Sequence, residues 1–72
     1  MKLIERKSYL MISVSDYLMY RWNKSLADFL HLDTLYGILD YLDLGYEPFH
    51  VTGNEGIAEE VENFIRMQGG DI

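Results

Sequence analysis

The chain has no cysteine, a single proline (Pro48), and no Lys or Arg anywhere between Ser25 and Ile65. The first absence excludes disulfides and removes the ligand that most structural zinc sites use. It also fits a reducing compartment, so a cytoplasmic protein is expected. Long apolar runs are missing as well. Glu5, Ser8, Ser13, Ser15 and Asp16 interrupt the N-terminal region before a signal-peptide core takes shape. No stretch approaches the roughly 18 apolar residues that would suggest a membrane span.

The missing basic residues leave a region of one sign. It carries nine carboxylates: Asp28, Asp33, Asp40, Asp43, Glu47, Glu55, Glu59, Glu60 and Glu62. The first 24 residues are the reverse, with Lys2, Arg6, Lys7, Arg21 and Lys24 against Glu5 and Asp16. Binding to nucleic acid draws its affinity from Lys and Arg on phosphates, so a net charge of −6 argues against direct nucleic-acid binding. Concentrated negative charge suits a protein partner with a basic surface. The 72 residues make one domain. A chain of this size buries only about 60% of the surface it exposes when unfolded, which leaves its core marginal. With disulfides and most zinc sites excluded, association is the remaining common remedy.

Between Ser8 and Tyr20 the only charged residue is Asp16. Met11, Val14, Leu18 and Trp22 share one helical stripe, and Leu10, Tyr17 and Tyr20 widen it. The spacing predicts a helix over 8–22 that is central to the fold or lies partly against another chain. A competing reading makes Tyr9 to Val14 a short strand before a helix capped by Ser13 or Ser15, but no second strand offers itself as a partner. Ser25 with Asp28 forms a helix-start box for 25–32, whose apolar face is Leu26, Phe29 and Leu30. Asp33 is expected to cap a helix over 34–44, carried by Leu35, Ile38, Leu39 and Leu42 and closed by a left-handed Gly45. Tyr46 to Gly53, with Pro48, reads as an ordered loop. Thr52 and Glu55 form a capping box for a last helix over 53–68. Its buried face would be Ile57, Val61, Phe64 and Ile65, Glu62 would pair with Arg66, and Gly69 and Gly70 would stop it. The expected fold is all-α, a compact bundle of about four helices.

Catalytic chemistry is hard to assemble from these residues. His31 and His50 are the only imidazoles. Glu47 and His50 have the E-x-x-H spacing of di-metal bundles, yet no second pair exists and Pro48 lies inside the motif. Gly53 and Gly56 flank a helix start, but Glu55 would repel an anion there. No Ser/His/Asp set stands out. Neither an enzyme nor a metal or cofactor is expected. Two short helices around Asp33 have a helix–turn–helix look, although the second would carry Asp33, Asp40 and Asp43 and no basic residue. Of the ten aromatic residues, Tyr17, Phe29 and Phe64 fall on apolar stripes, while Tyr36, Tyr41 and Tyr46 stand beside acidic positions.

The segment Gly37-Ile38-Leu39-Asp40-Tyr41-Leu42 is followed by an ordered series: His50, Gly53, Glu55, Ile57, Glu59-Glu60-Val61-Glu62 and Phe64-Ile65. Over residues 29–65 this pattern resembles small bacterial and mobile-element proteins classed as a domain of unknown function. Their genes often lie beside one for an ADP-ribosyltransferase-like toxin. Phe29, Tyr36, Gly37, Ile38, Asp40 and Tyr41 match the first part of the family pattern, and His50 and Gly53 keep the second spacing. Phe49 stands where the family has leucine, and its threonine is displaced to Thr52. The resemblance implies a non-catalytic antitoxin that covers the basic, phosphate-receiving cleft of such a toxin.

The expected partner-binding residues are Asp40, Asp43, Glu47, Glu55 and Glu59 for steering, with Tyr41 and Tyr46 as anchors. One alternative is a phage-encoded anti-defence inhibitor whose acidic face imitates nucleic acid. Another is a structural homodimer with the first helix as its seam.

Overall fold

Apolar residues recur at helical spacing through most of the chain, and helices are what form. The computed structural model describes residues 2–72. The elements are α1 (Leu3–Trp22), α2 (Leu26–Tyr36), α3 (Ile38–Leu44), α4 (Tyr46–Phe49) and α5 (Asn54–Met67). The fold is an all-α bundle, with no strand among the described residues. Tyr9 to Val14 is helical, which removes the strand alternative.

α1 begins five residues earlier than the apolar stripe suggests, because polar residues in its first turns do not break a helix. The Ser8 hydroxyl simply donates back to the Ile4 carbonyl at 2.9 Å. Asn23, at φ 54° and ψ 50°, ends α1 in the left-handed conformation that Asn tolerates, and the Lys24 N–H closes on the Met19 carbonyl at 2.9 Å. Ser25 and Asp28 form the expected reciprocal box at the start of α2.

The next boundary differs from expectation. α2 runs on through Tyr36 and breaks at Gly37, whose φ of 71° suits glycine. Asp33 still caps α3, but it reaches forward from inside α2: its Oδ1 accepts the Leu39 N–H at 2.8 Å. Gly45 is not left-handed (φ −91°); the chain passes almost directly from α3 into α4. Glycine is required there for space, since a Cβ would lie 2.5 Å from the Phe49 ring.

Residues 46–49, expected in a loop, make the single turn α4. Pro48 fits because it occupies the first turn, where the backbone N–H has no partner within the helix anyway. The Thr52–Glu55 capping box does not form. Gly53 is the N-cap of α5 without a side-chain cap, and the Thr52 hydroxyl donates to the Pro48 carbonyl at 2.8 Å. Thr52 thereby closes α4 in place of opening α5.

α5 packs along α1, and α3 lies against α1, α2 and α4. The interior is built from Val14 and Leu18 of α1, Phe29 of α2, Ile38 and Leu42 of α3, Phe49 of α4, and Ile57, Ala58, Val61 and Ile65 of α5. Tyr17 packs against this core half-buried. Phe64 is also half-buried, where the pattern had placed it in the buried face of α5. Tyr20, expected to thicken the apolar stripe of α1, points outward and is 84% exposed.

Candidate partner-binding surface

The carboxylates of the one-signed region divide according to what each touches. Asp28 and Asp33 are held by backbone N–H groups at helix starts. Glu62 and Asp43 are the two carboxylates in ion pairs among the described residues. Asp40, Glu47, Glu55, Glu59 and Glu60 have no ion-pair partner among the described residues, and all five are exposed.

Glu62 does not pair with Arg66 as its spacing suggests. It reaches across to α1, where Arg21 donates to both carboxylate oxygens at 2.9 and 3.1 Å and Trp22 Nε1 donates at 2.8 Å. Burial by itself would raise the Glu62 pKa. Hydrogen bonds from Arg21 and Trp22, with the charges of Arg21 and Arg66, outweigh it and hold the pKa below the ordinary carboxylate value. The hydrogen bond to Glu62 likewise raises the guanidinium pKa of Arg21. Arg66 instead donates to the Ile72 carbonyl at 2.9 Å and to the side chain of Asn63 at 3.2 Å. Glu62 is therefore a clamp between the ends of α1 and α5.

Two of the expected contact residues are drawn to α1 in a similar way. Asp43 meets Lys7 at 3.3 Å, and the same ammonium stands 6.0 Å from the centre of the Tyr46 ring. Tyr46 is only 7% exposed and stacks on His50 at 4.9 Å. Its ring fills the interior, so little of it is left to anchor a partner. His50 Nδ1 lies 3.1 Å from the Tyr46 carbonyl, which can only accept, so that nitrogen carries the proton. Glu47 lies in α4 and His50 is its C-cap, and no group of three or more His, Asp or Glu able to hold a metal is found among the described residues.

Tyr41 and Glu59 do come together. They line a groove of about 740 Å³ between α3, α4 and α5, with Glu60 on the same rim and Phe49, Pro48 and Gly56 along its walls. Tyr41 is set rigidly: its ring stacks on Phe64 at 4.0 Å and 8°, and meets Phe49 edge-on at 5.5 Å. Burial, then the charge of Glu60, pushes the Tyr41 phenol above its ordinary pKa. Its hydroxyl stays protonated and remains a hydrogen-bond donor. Asp40, Glu47 and Glu55 are exposed on the three helices that form this groove.

The arrangement is an aromatic wall beside exposed carboxylates, a combination chemically able to meet a cationic side chain. Glu60 was missing from the sequence-based set. Gly56, one turn before it, was the available signal, because a residue without a side chain leaves room beside its i+4 neighbour. Comparison with protein-family models, curated proteins and solved structures finds no match for this chain.

Proposed function

We propose that the protein is a non-catalytic inhibitor that binds a basic-surfaced partner protein through the groove between α3, α4 and α5. The observation that carries this reading is the set of unpaired carboxylates around Tyr41: Glu59 and Glu60 at the rim, with Asp40, Glu47 and Glu55 on the surrounding helices. A carboxylate already held by Arg21 or Lys7 offers little to a partner. These five have no such partner among the described residues. An Arg or Lys of the partner would enter over the Tyr41 ring and meet Glu59 and Glu60.

The resemblance over residues 29–65 supports an antitoxin of an ADP-ribosyltransferase-like toxin, acting in the cytoplasm. A cleft built to receive phosphates is basic, and surface carboxylates can occupy the positions of those phosphates. The inhibition is stoichiometric: no bond is made or broken.

The test is capture of the partner from the native host by tagged protein, with the Glu59→Lys/Glu60→Lys variant as control. The wild-type chain should retain a basic protein and suppress its ADP-ribosyl transfer. The variant should retain it at least about tenfold more weakly, as expected when two charge contacts are reversed. Equal capture and inhibition by both chains would eliminate this groove. Capture of a nucleic-acid-guided complex in place of a toxin would move the assignment to the anti-defence reading.

A further inference from the structure

The acidic groove engages α3, α4 and α5 and leaves one side of α1 and α2 uncovered. There Met11, Ile12 and Met19 of α1 and Leu26, Phe29 and Leu30 of α2 line a second groove of about 410 Å³. Ile12, Leu26 and Leu30 are 65%, 59% and 47% exposed. We propose that this face is covered by the same face of a second copy, with the two α1 helices antiparallel and crossing at Ile12.

Charge limits how a second copy can approach. The chain carries −6 overall, so two copies repel through their acidic helices. The α1–α2 groove has a single charged residue along it, Asp16, and is the face on which copies approach with least repulsion. Charge also selects the direction. Parallel helices would set Asp16 beside Asp16 of the second copy. An antiparallel crossing at Ile12 sets Asp16, four residues after that point, opposite Ser8 of the second copy, four residues before it. The Ser8 hydroxyl, which donates to its own Ile4 carbonyl in the single chain, can rotate to donate to that carboxylate. The contact is then self-complementary under a two-fold axis, as a closed dimer requires.

Area sets the strength. From Ile4 to Met19, α1 spans about 22 Å, and two helices side by side are about 20 Å wide. The face is therefore roughly 450 Å² per copy and roughly 900 Å² for the pair, at the weak end for a specific interface. That places the pairing among weak contacts, for which dissociation on the order of 10–100 µM is the range to test. The acidic groove lies on other helices and stays open in the dimer.

Sedimentation of the full chain from about 5 to about 500 µM, bracketing that range, tests the pairing. The mass should rise from one chain to two and level off. Ile12→Glu and Leu30→Glu should each hold the protein at one chain, and their dilute circular-dichroism melts should stay close to wild type because both sites face solvent. The exchange Ser8→Asp/Asp16→Ser moves the carboxylate to the other member of the pair and should preserve dimerisation. A single-chain mass throughout would overturn the proposal, as would a dimer indifferent to both Glu substitutions. Growth beyond two chains would overturn the two-fold arrangement.

Discussion

Arg21, Trp22 and Glu62 show how much of this molecule depends on single side chains meeting across the fold. Trp22 donates to a carboxylate that is largely enclosed, and replacing it with Phe keeps the ring while deleting the donor. Trp22→Phe should cost about 1.5–3 kcal/mol, the range for a hydrogen bond to a charged group. In a domain of this size that lowers Tm by roughly 6–24 °C, measurable by thermal melts at neutral pH. The pH dependence has a definite sign. Because the folded-state pKa of Glu62 is depressed, its stabilisation is fully present above the ordinary carboxylate pKa and is lost as pH falls through the depressed value. Glu62→Gln should flatten that part of the acid limb in melts recorded from neutral to acid pH; a limb identical to wild type would refute the assignment. Gly45 offers a second test at this scale. A methyl group there collides with Phe49, and Gly45→Ala should cost about 1–3 kcal/mol by overpacking. Gly53 has open space at the same position, so Gly53→Ala should lose only the small N-cap preference. Urea denaturation of the two variants separates these outcomes.

At the level of helices, what was readable followed from local physics. The Ser25–Asp28 box and the apolar spacing of α1, α3 and α5 depend on neighbours three and four residues away, so a linear pattern reveals them. Other boundaries depended on competition. Thr52 and Glu55 have the spacing of a capping box, yet the Thr52 hydroxyl is consumed by the Pro48 carbonyl. That carbonyl became available only because α4 formed. Pro48 suggested a loop, but in the first turn of α4 it removes no helical hydrogen bond. Asp33 keeps its expected role as cap but acts from inside α2, and the break before α3 falls at Gly37, to which the expected boundaries give no role. α5 is the element on which the interior closes, with four fully buried residues. Ile57→Ala should therefore cost about 2–5 kcal/mol. A chain of this length holds a total of roughly 4–11 kcal/mol, so the variant should be partly unfolded at 37 °C by circular dichroism, unless association restores it.

For the whole molecule the sorting of charge is the decisive property. Four carboxylates serve the fold, as caps or in ion pairs, and five have no ion-pair partner among the described residues, Glu59 and Glu60 of these lining the acidic groove. If the unpaired set steers association, the association rate should fall steeply as salt is raised, with a much smaller change in the dissociation rate. Asp40→Lys combined with Glu59→Lys should reduce the rate at low salt and remove most of its salt dependence. Asp43→Lys should act mainly on stability through the Lys7 contact, and only weakly, because the pair is half-exposed. Surface plasmon resonance against the captured partner, repeated at several salt concentrations, distinguishes the two variants. No described helix is long and apolar enough to cross a membrane.

Composition and periodicity determined the helical class, the one-signed region and most of the buried positions, because these depend on averages over a turn or over the chain. The tertiary structure decided which acids are spent and which are free, since that depends on partners far away in sequence: Lys7 for Asp43 and Arg21 for Glu62. It also decided that Tyr46 faces inward while Tyr41 borders the groove. Helical spacing places both beside acidic residues, and only the packing separates them: Tyr46 stacks on His50 near Lys7 of α1, whereas Tyr41 stacks on Phe64 of α5.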